Sequence, residues 1–504
     1  MKLYFHETKG ELYVRETRHG WQRRVGLGLL AGGVLLMPAA TLLAQALAPS
    51  SATSSPSLPS PYQISTPQQG GSGFQGSVAD DKPVEGVLPL SLDDAIQRGL
   101  RHNLGYILSA ENTTNVNGSR LQELQQLLPT VQAKGEVSVQ QVNLAAEGLR
   151  IPGFPTIIGP FGFSDIRASL DWSLLNIASL QNYLAAKHNF QSSKLSVEDA
   201  RDMVVLTAGN AYLLVIADKS RVESAQQQVD TSKISLDQAV ANHQAGTSPL
   251  LDELRARVDY QTQQQTLISA QSQYEKDKIA LARVIGLPLE QKFELADQAP
   301  YAALEDVDPD TAVKEAIESR SDLKALAEQL KSAEKARSAA TAERYPTIRF
   351  SGDYGDIGVN PANSHGTGDA TGTLSVPVFE EGKLRGDANQ AQAQLDIKRA
   401  QFSDIHGQIS ADVRDSILDI RSAQKQVEVS RSNVQLANEA LSEAQQRYAA
   451  GVSDNLAVSQ AQQSVAQAND QYVSSLYQHN IAKLSLARAL GVAQKNYKSY
   501  VGGK

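Results

Sequence analysis

The sequence predicts a chain of α plus transmembrane β structure, built from one unit used twice. Each unit supplies two amphipathic strands and a long coiled-coil helical hairpin. Three observations carry this prediction. Leu236, Ala239, Ala245, Gly246, Ser248, Leu251 and Ala256 are matched by Leu441, Ala444, Ala450, Gly451, Ser453, Leu456 and Ala461, each 205 positions on, and the register still holds where Leu281-Ala282-Arg283 and Gly286 meet Leu486-Ala487-Arg488 and Gly491. Four short segments alternate apolar and polar side chains with a period of two. Two stretches, Leu180 to Ala245 and Lys383 to Ala450, run without a proline and are far longer than ordinary globular helices.

In chain order, Arg23-Arg24 precede an apolar run from Val25 to Leu43 and two A-x-A patterns, Ala44-Gln45-Ala46 and Ala46-Leu47-Ala48. Residues 1–48 therefore read as an N-terminal extension and a cleavable export leader, with an uncleaved anchor as the alternative and general secretion favoured over twin-arginine export. Residues 49–88, rich in Ser, Pro, Gln and Gly, read as a flexible arm. The first unit spans 89–297. It opens with Ser91 as a helix cap ahead of Asp93 and Asp94, and this helix runs on through Leu104 and Leu121 to Pro129. In the second unit, 308–497, a helix from Ala312 to Ala342 ends at Pro346, and residues 298–307 form the linker.

After each of these prolines the period becomes two. Val131, Ala133, Gly135, Val137 and Val139 alternate with polar residues, as do Ile166, Ala168, Leu170, Trp172 and Leu174. Ile348, Phe350, Gly352 and Tyr354 repeat the scheme, then Ala370, Gly372, Leu374, Val376 and Val378. These are strands of about nine or ten residues. Residues 142–165 and 355–369 read as long loops, the first of them oddly apolar.

The long stretches carry a seven-residue repeat: Val413, Ile420, Val427, Val434, Leu441 and Tyr448, with Ser416, Ala423, Ser430, Ala437 and Ala444 three places on. Val215, Val222, Val229 and Leu236 do the same in the first unit. This is a left-handed coiled-coil seam with small residues that let helices approach closely, and each arm is on the order of 100 Å long. Gly246-x-Ser248 and Gly451-x-Ser453 are the reversals to the returning arms, Leu250 to Ile285 and Leu456 to Leu490.

Composition narrows the function classes. A net charge of −8 with mixed signs gives no basic patch for nucleic acid, and the absence of cysteine removes disulfides and thiolate metal sites. The eight histidines lie scattered, no catalytic motif is present, and no cofactor, metal or enzymatic activity is expected. His243 reads as a polar seam residue. With 41% hydrophobic residues the chain has little apolar material for one large core. A half-apolar sheet either packs on helices or faces lipid. The leader, the strand length and the narrow helix seams favour lipid, and four strands cannot close a barrel without leaving unpaired edges in hydrocarbon, so the barrel is expected to be shared among copies.

Leu90-Ser91-Leu92-Asp93-Asp94-Ala95-Ile96 with Asn103, Ser375-Val376-Pro377-Val378-Phe379-Glu380-Glu381-Gly382, Arg447-Tyr448-Ala449-Ala450-Gly451-Val452-Ser453 and Ala487-Arg488-Ala489-Leu490-Gly491 together resemble the TolC-like outer membrane efflux proteins over residues 89–495. The resemblance implies a homotrimer with a twelve-stranded outer-membrane barrel and a periplasmic helical tunnel. Such a duct exports passively within a tripartite efflux pump or type I secretion system. Its expected partners are a periplasmic adaptor, an inner-membrane transporter and outer-membrane lipid, and the alternative from the residues alone is a poreless periplasmic coiled-coil tether. It also implies that the Gly246, Ser248, Gly451 and Ser453 turns are the periplasmic tips, and that Asp252 and Tyr448 form a gate hydrogen bond between the hairpins. On the residues alone, Tyr448 is equally a seam residue and Asp252 a helix-start residue. The family's tip arginine is replaced by Ser453, and its acidic entrance pair by Ala457 and Gln460. Lys134, Glu136, Arg167, Asp171, Arg349 and Asp353 are expected to face the barrel lumen. Trp172, Phe350 and Tyr354 are expected either in a lipid-interface girdle or simply as strand aromatics.

Overall fold

Each long helix is returned on its own seam, and the seam residues are the ones that vanish from the surface. The computed structural model describes residues 72–79, 83, 85–146, 148–149, 151–297, 301, 307–453 and 455–501, within a unit spanning Pro67–Lys504. The leader, most of the arm and most of the linker lie outside the described residues. In chain order the elements are β1 (Leu88–Leu90), α1 (Leu92–His102), α2 (Leu104–Gln125), β2 (Thr130–Asn143), β3 (Ile157–Leu175), α3 (Ile177–Gln244) and α4 (Leu250–Ile285). The second repeat follows with β4 (Phe293–Leu295), α5 (Pro309–Ser319), α6 (Ser321–Ala342), β5 (Thr347–Gly358), β6 (Ser364–Ser375), α7 (Glu381–Ala449), α8 (Asn455–Ala489) and α9 (Ala493–Val501).

α3 and α7 hold 68 and 69 residues, which at 1.5 Å per residue is on the order of 100 Å. Val413, Ile420, Val427 and Tyr448 of the predicted seam are buried, with Ser416, Ala423 and Ser430 beside them; in α3, Val215, Val229, Ala225, Ser232 and Ala239 are buried likewise. α3 contains an 18-residue stretch with a mean hydropathy of 1.3, long and apolar enough to cross a membrane, but 61% of it is buried inside this chain. It is packed as a core helix against α1, α2, α6 and α8.

The helices predicted to run unbroken into each proline are each broken once. Asn103 takes an extended conformation, closes α1 through its N–H to Gly99 and caps α2, its Oδ1 accepting from Gly105 N at 2.9 Å. Its amide nitrogen donates to Phe74 O (2.7 Å) and Val284 O (3.3 Å), so every polar atom of a fully buried side chain is used. Arg320 holds the matching break between α5 and α6, its guanidinium bonded to Asp322 and Asp412. Neither residue is a proline or glycine, so the pattern of apolar residues runs through the break unaltered. Residues 72–78, expected in the flexible arm, pack onto this break: the Phe74 ring lies on Gly105, and Val78 N donates to His102 O.

The breaks receive the ends of the returning arms. Gly286 and Gly491 adopt φ of +73° and +69°, and a Cβ on Gly286 would lie 2.3 Å from His102 Cβ, one on Gly491 2.8 Å from Arg320 Cα. The hairpin-tip glycines share the same φ but have open space around them. Below the breaks, β1 pairs in parallel with β4, and Tyr212 ties them to α3 by donating to Leu90 O at 2.8 Å.

The sheet is antiparallel in the order β2-β3-β5-β6, with strands of 14, 19, 12 and 12 residues. It is longer than predicted, because much of the two expected loops is strand; only residues 144–156 and 359–363 connect. Gly159 and Gly162 hide this in the sequence by letting the chain approach Gln140 O and Val359 O closely, while the Tyr354 ring fills the space left by Gly366 and Gly368. At the other end β6 stops at Ser375 rather than Val378. Thr347 pairs with Ser375 as the last rung, and Pro346 and Pro377 offer no N–H to continue it.

Gly286→Ala is expected to destabilise the chain well beyond Gly246→Ala, for which only the backbone strain of about 1 kcal/mol applies. Chemical unfolding of both variants measures this, and equal losses would show that the His102 contact carries nothing.

Candidate functional site: one sheet face, the hairpin tips and two open edges

Cross-strand register sorts the sheet into two faces. Val131, Leu170, Gly352 and Ala370 form one row and Ala133, Ala168, Tyr354 and Gly368 the next, so the apolar residues of all four strands share a face. No helix of the described residues packs on it. Val131, Val137 and Val139 are 71%, 73% and 76% exposed, which rules out the reading in which the sheet covers a helix layer.

The opposite face gathers all six predicted polar residues. Lys134 lies beside Arg167, and Gln132, Ser169, Asp353 and Asp369 form the adjacent row. Lys134 Nζ pairs with Glu136 at 2.8 Å. Arg167 is held on both sides, by Asp165 at 2.7 Å and Asp353 at 2.8 Å. Asp165 was missed in the sequence because it fell in an expected loop, although it shares parity with Arg167. Asp171 and Arg349 lie on the same face, exposed and without an ion pair. Both signs occur along the face, with an excess of carboxylates over Lys134, Arg167 and Arg349, so the field is mixed and mildly acidic rather than of one sign. Trp172 sits at the strand end nearest α2, its Nε1 donating to Leu127 O at 3.1 Å.

At the far end, Gly246 and Gly451 reverse the chain, with Thr247 N donating to Asn242 O and Val452 N to Arg447 O. His243 does not point into a seam; its Nδ1 lies 3.2 Å from Ser248 O and braces the turn. Asp252 and Tyr448 are both buried here, but the expected hydrogen bond between them is not formed within the chain. The Asp252 carboxylate leans towards Arg255 at 3.8 Å, one turn along its own helix, and the Tyr448 hydroxyl is buried with no partner. The tips of the two hairpins are joined instead by Asn455 Nδ2, which donates to Asp252 O, and by Ser459 with Asp259. A groove of about 380 Å³ opens between α4 and α8, lined by Leu251, Leu254, Val258 and Leu456. Among the described residues no group of three metal-ligating side chains occurs.

The packing order is the same at every level. Strands run β2-β3-β5-β6, the helices beneath them α2-α3-α6-α7, and the hairpins α4-α3-α8-α7. Among the described residues each layer ends in two unpartnered edges. On the edge helices, Val258, Ile268 and Ile279 of α4 and Leu418, Val429 and Leu436 of α7 form exposed apolar stripes. Steps of 11 and 7 residues keep Leu418, Val429 and Leu436 on one face of α7, and the step of 11 does so for Ile268 and Ile279 of α4, with Val258 turned to the side.

Since the Tyr448 hydroxyl is buried and unsatisfied, Tyr448→Phe is expected to leave stability unchanged or raise it by up to about 1 kcal/mol. Denaturant titration checks this; a comparable loss would show that the hydroxyl is bonded in the assembled protein.

This arrangement has close relatives. The chain is 25% identical over 368 residues to the toluene efflux pump outer membrane protein TtgF of Pseudomonas putida, covering 68% of this chain and 74% of that one. It is 24% identical over 458 residues to the solvent efflux pump outer membrane protein SrpC of Pseudomonas putida, covering 86% and 93%. Among solved structures, the CmeC outer membrane channel of Campylobacter jejuni superposes with a TM-score of 0.73 at 15% identity, over 88% of this chain and 98% of that one. The outer membrane efflux protein family model matches residues 119–287 and 312–492, one block in each repeat, and the chain belongs to that family.

Proposed function

We propose that three copies of this chain close edge to edge into one duct, which passes substrates through the outer membrane and on across the periplasm for an efflux pump. Membership of the family places the protein in the outer membrane. What carries the trimer is the repeated order of the three layers. A layer four elements wide with open edges at every level can close against copies of itself, and three copies give twelve strands, an even count as in bacterial barrels. The exposed apolar face then meets lipid, the face holding Lys134, Glu136, Arg167, Asp171, Arg349 and Asp353 lines the lumen, and the α3–α4 and α7–α8 hairpins continue the wall.

The duct performs no chemistry; transport is driven elsewhere. An inner-membrane transporter supplies the energy and a periplasmic adaptor joins it to the tips at Gly246, Ser248, Gly451 and Ser453. Tyr448 and Asp252 lie buried just behind these turns and shape the entrance. Relatives named for toluene and solvent export make apolar small molecules the first cargo to test.

Val429 is 60% exposed in one chain, so Val429→Asp costs at most about 0.5 kcal/mol if the chain acts alone. In the duct it places a charge in the joint between copies. Conductance across planar bilayers is expected from the parent protein and is expected to be lost in Val429→Asp. A parent that never conducts, or a variant that conducts equally, would contradict the proposal.

A further inference from the structure

The two repeats part company at one level of their hairpins. Asp218 on α3 and Asp277 on α4 lie within hydrogen-bonding reach of each other, whereas the positions 205 residues on are Ala423 on α7 and Ala482 on α8, both buried. The duplicated hairpin therefore packs at this level without any carboxylate. In the first hairpin Asp218 is only 3% exposed, and its Oδ2 has no donor. Its Oδ1 accepts from Arg221 Nη1 at 2.7 Å, and Arg221 Nη2 reaches across to Ser474 Oγ of α8 at 3.2 Å. Asp277 accepts from Gln273 Nε2 at 2.7 Å. The charged and titratable groups around Asp218 are thus Arg221 on α3, Asp277 on α4, and Asp470 and Tyr477 on α8, whose hydroxyl is engaged with Asn210 at 2.7 Å.

One guanidinium faces the two touching carboxylates. Burial, then the contact with Asp277, raises the Asp218 carboxyl well above the usual carboxylate range, to about 7.

We propose that Asp218 and Asp277 form a shared-proton clasp that fastens α4 to α3 and opens on deprotonation, making the outer edge of the first hairpin pH-responsive. With the proton in place, one acid donates to the other and the unused Oδ2 is satisfied. Without it, two carboxylates repel across the α3–α4 seam. Arg221 keeps α3 on α8, so the loosened element is α4. That helix carries the exposed apolar residues Val258, Ile268 and Ile279, so the clasp governs how firmly one edge of the duct is presented to the next copy. This last consequence rests on the proposed duct; the clasp itself does not. The sign follows from linkage. Between the ordinary carboxylate value of 3.8 and about 7 the folded chain holds a proton that the unfolded chain lacks, so stability falls as pH rises through that window and stays reduced above it.

Because the chain has no cysteine, spin labels at Lys233→Cys on α3 and Thr262→Cys on α4 attach only beside this seam, and mixing labelled with excess unlabelled chains isolates the distance within one copy of the full-length, detergent-extracted protein. The distance distribution is expected to broaden between pH 5.5 and pH 8.5 in the parent and to stay narrow in Asp218→Asn. It is also expected to stay narrow in Asp218→Ala with Asp277→Ala, which copies the second repeat and keeps the test open if the amide folds poorly. Equal broadening in parent and variants, or none in the parent, would overturn the clasp. Bilayer conductance recorded alongside separates the two ideas: a protein that broadens but never conducts keeps the clasp and removes the duct.

Discussion

The constraint on which everything depends is the row of unpaired backbone groups along β2 and β6. In hydrocarbon each orphaned N–H or C=O costs several kcal/mol, and these edges are 14 and 12 residues long. Among the described residues no strand pairs with them. The helices inherit the constraint, because the same left-to-right order continues from the sheet into α2-α3-α6-α7 and then α4-α3-α8-α7. In the proposed duct a chain with this order is one segment of the wall.

Stiffness is the second requirement, and it is met by seams rather than by a core. Ser416, Ala423 and Ser430 beside Val413, Ile420 and Val427 bring α7 close to α8, and Ser430 and Ser475 meet across it at 2.7 Å. A dense cluster sits where the pieces meet. There Ala316, Leu323, Ile409, Val413, Leu486 and Leu490 pack together at the α5–α6 break. Asn103 and Arg320 let each helix turn a corner at this level, and Gly286 and Gly491 let the returning arms end against those corners.

Much of this was legible in the residues because periodicity and duplication are local signals. The heptads of α3 and α7, the tip glycines and the sheet's apolar and polar faces stand in the structure as the spacing predicts. What the spacing hid has physical causes. Glycines at 162, 355, 358, 366 and 368 interrupt alternation without interrupting strand pairing, and Gly159 lies at a bulge opposite Gln141, so half of β3 and β6 looked like loop. The breaks at Asn103 and Arg320 depend on partners some 90 to 180 residues away, Val284 and Asp412, which no local pattern contains. Phe74 is one apolar residue in a low-complexity arm, and only Gly105 makes room for it. At the tip, the resemblance implied a hydrogen bond between Asp252 and Tyr448, and within one chain both are buried without it.

The tips and edges also show where the two repeats have diverged. Asp218 and Asp277 stand in the first hairpin where the second has Ala423 and Ala482, and the edge helix of the first repeat is the short α4 while that of the second is the long α7. Duplication supplied the rods, and setting the two hairpins side by side leaves a short helix at one edge and a long one at the other, which suits the head-to-tail joint of the proposed ring. The most direct test is the number of chains in the particle extracted from the outer membrane, read as the mass of the intact detergent complex. Three chains per particle is the predicted result, and a folded single chain with β2 and β6 both exposed would contradict it.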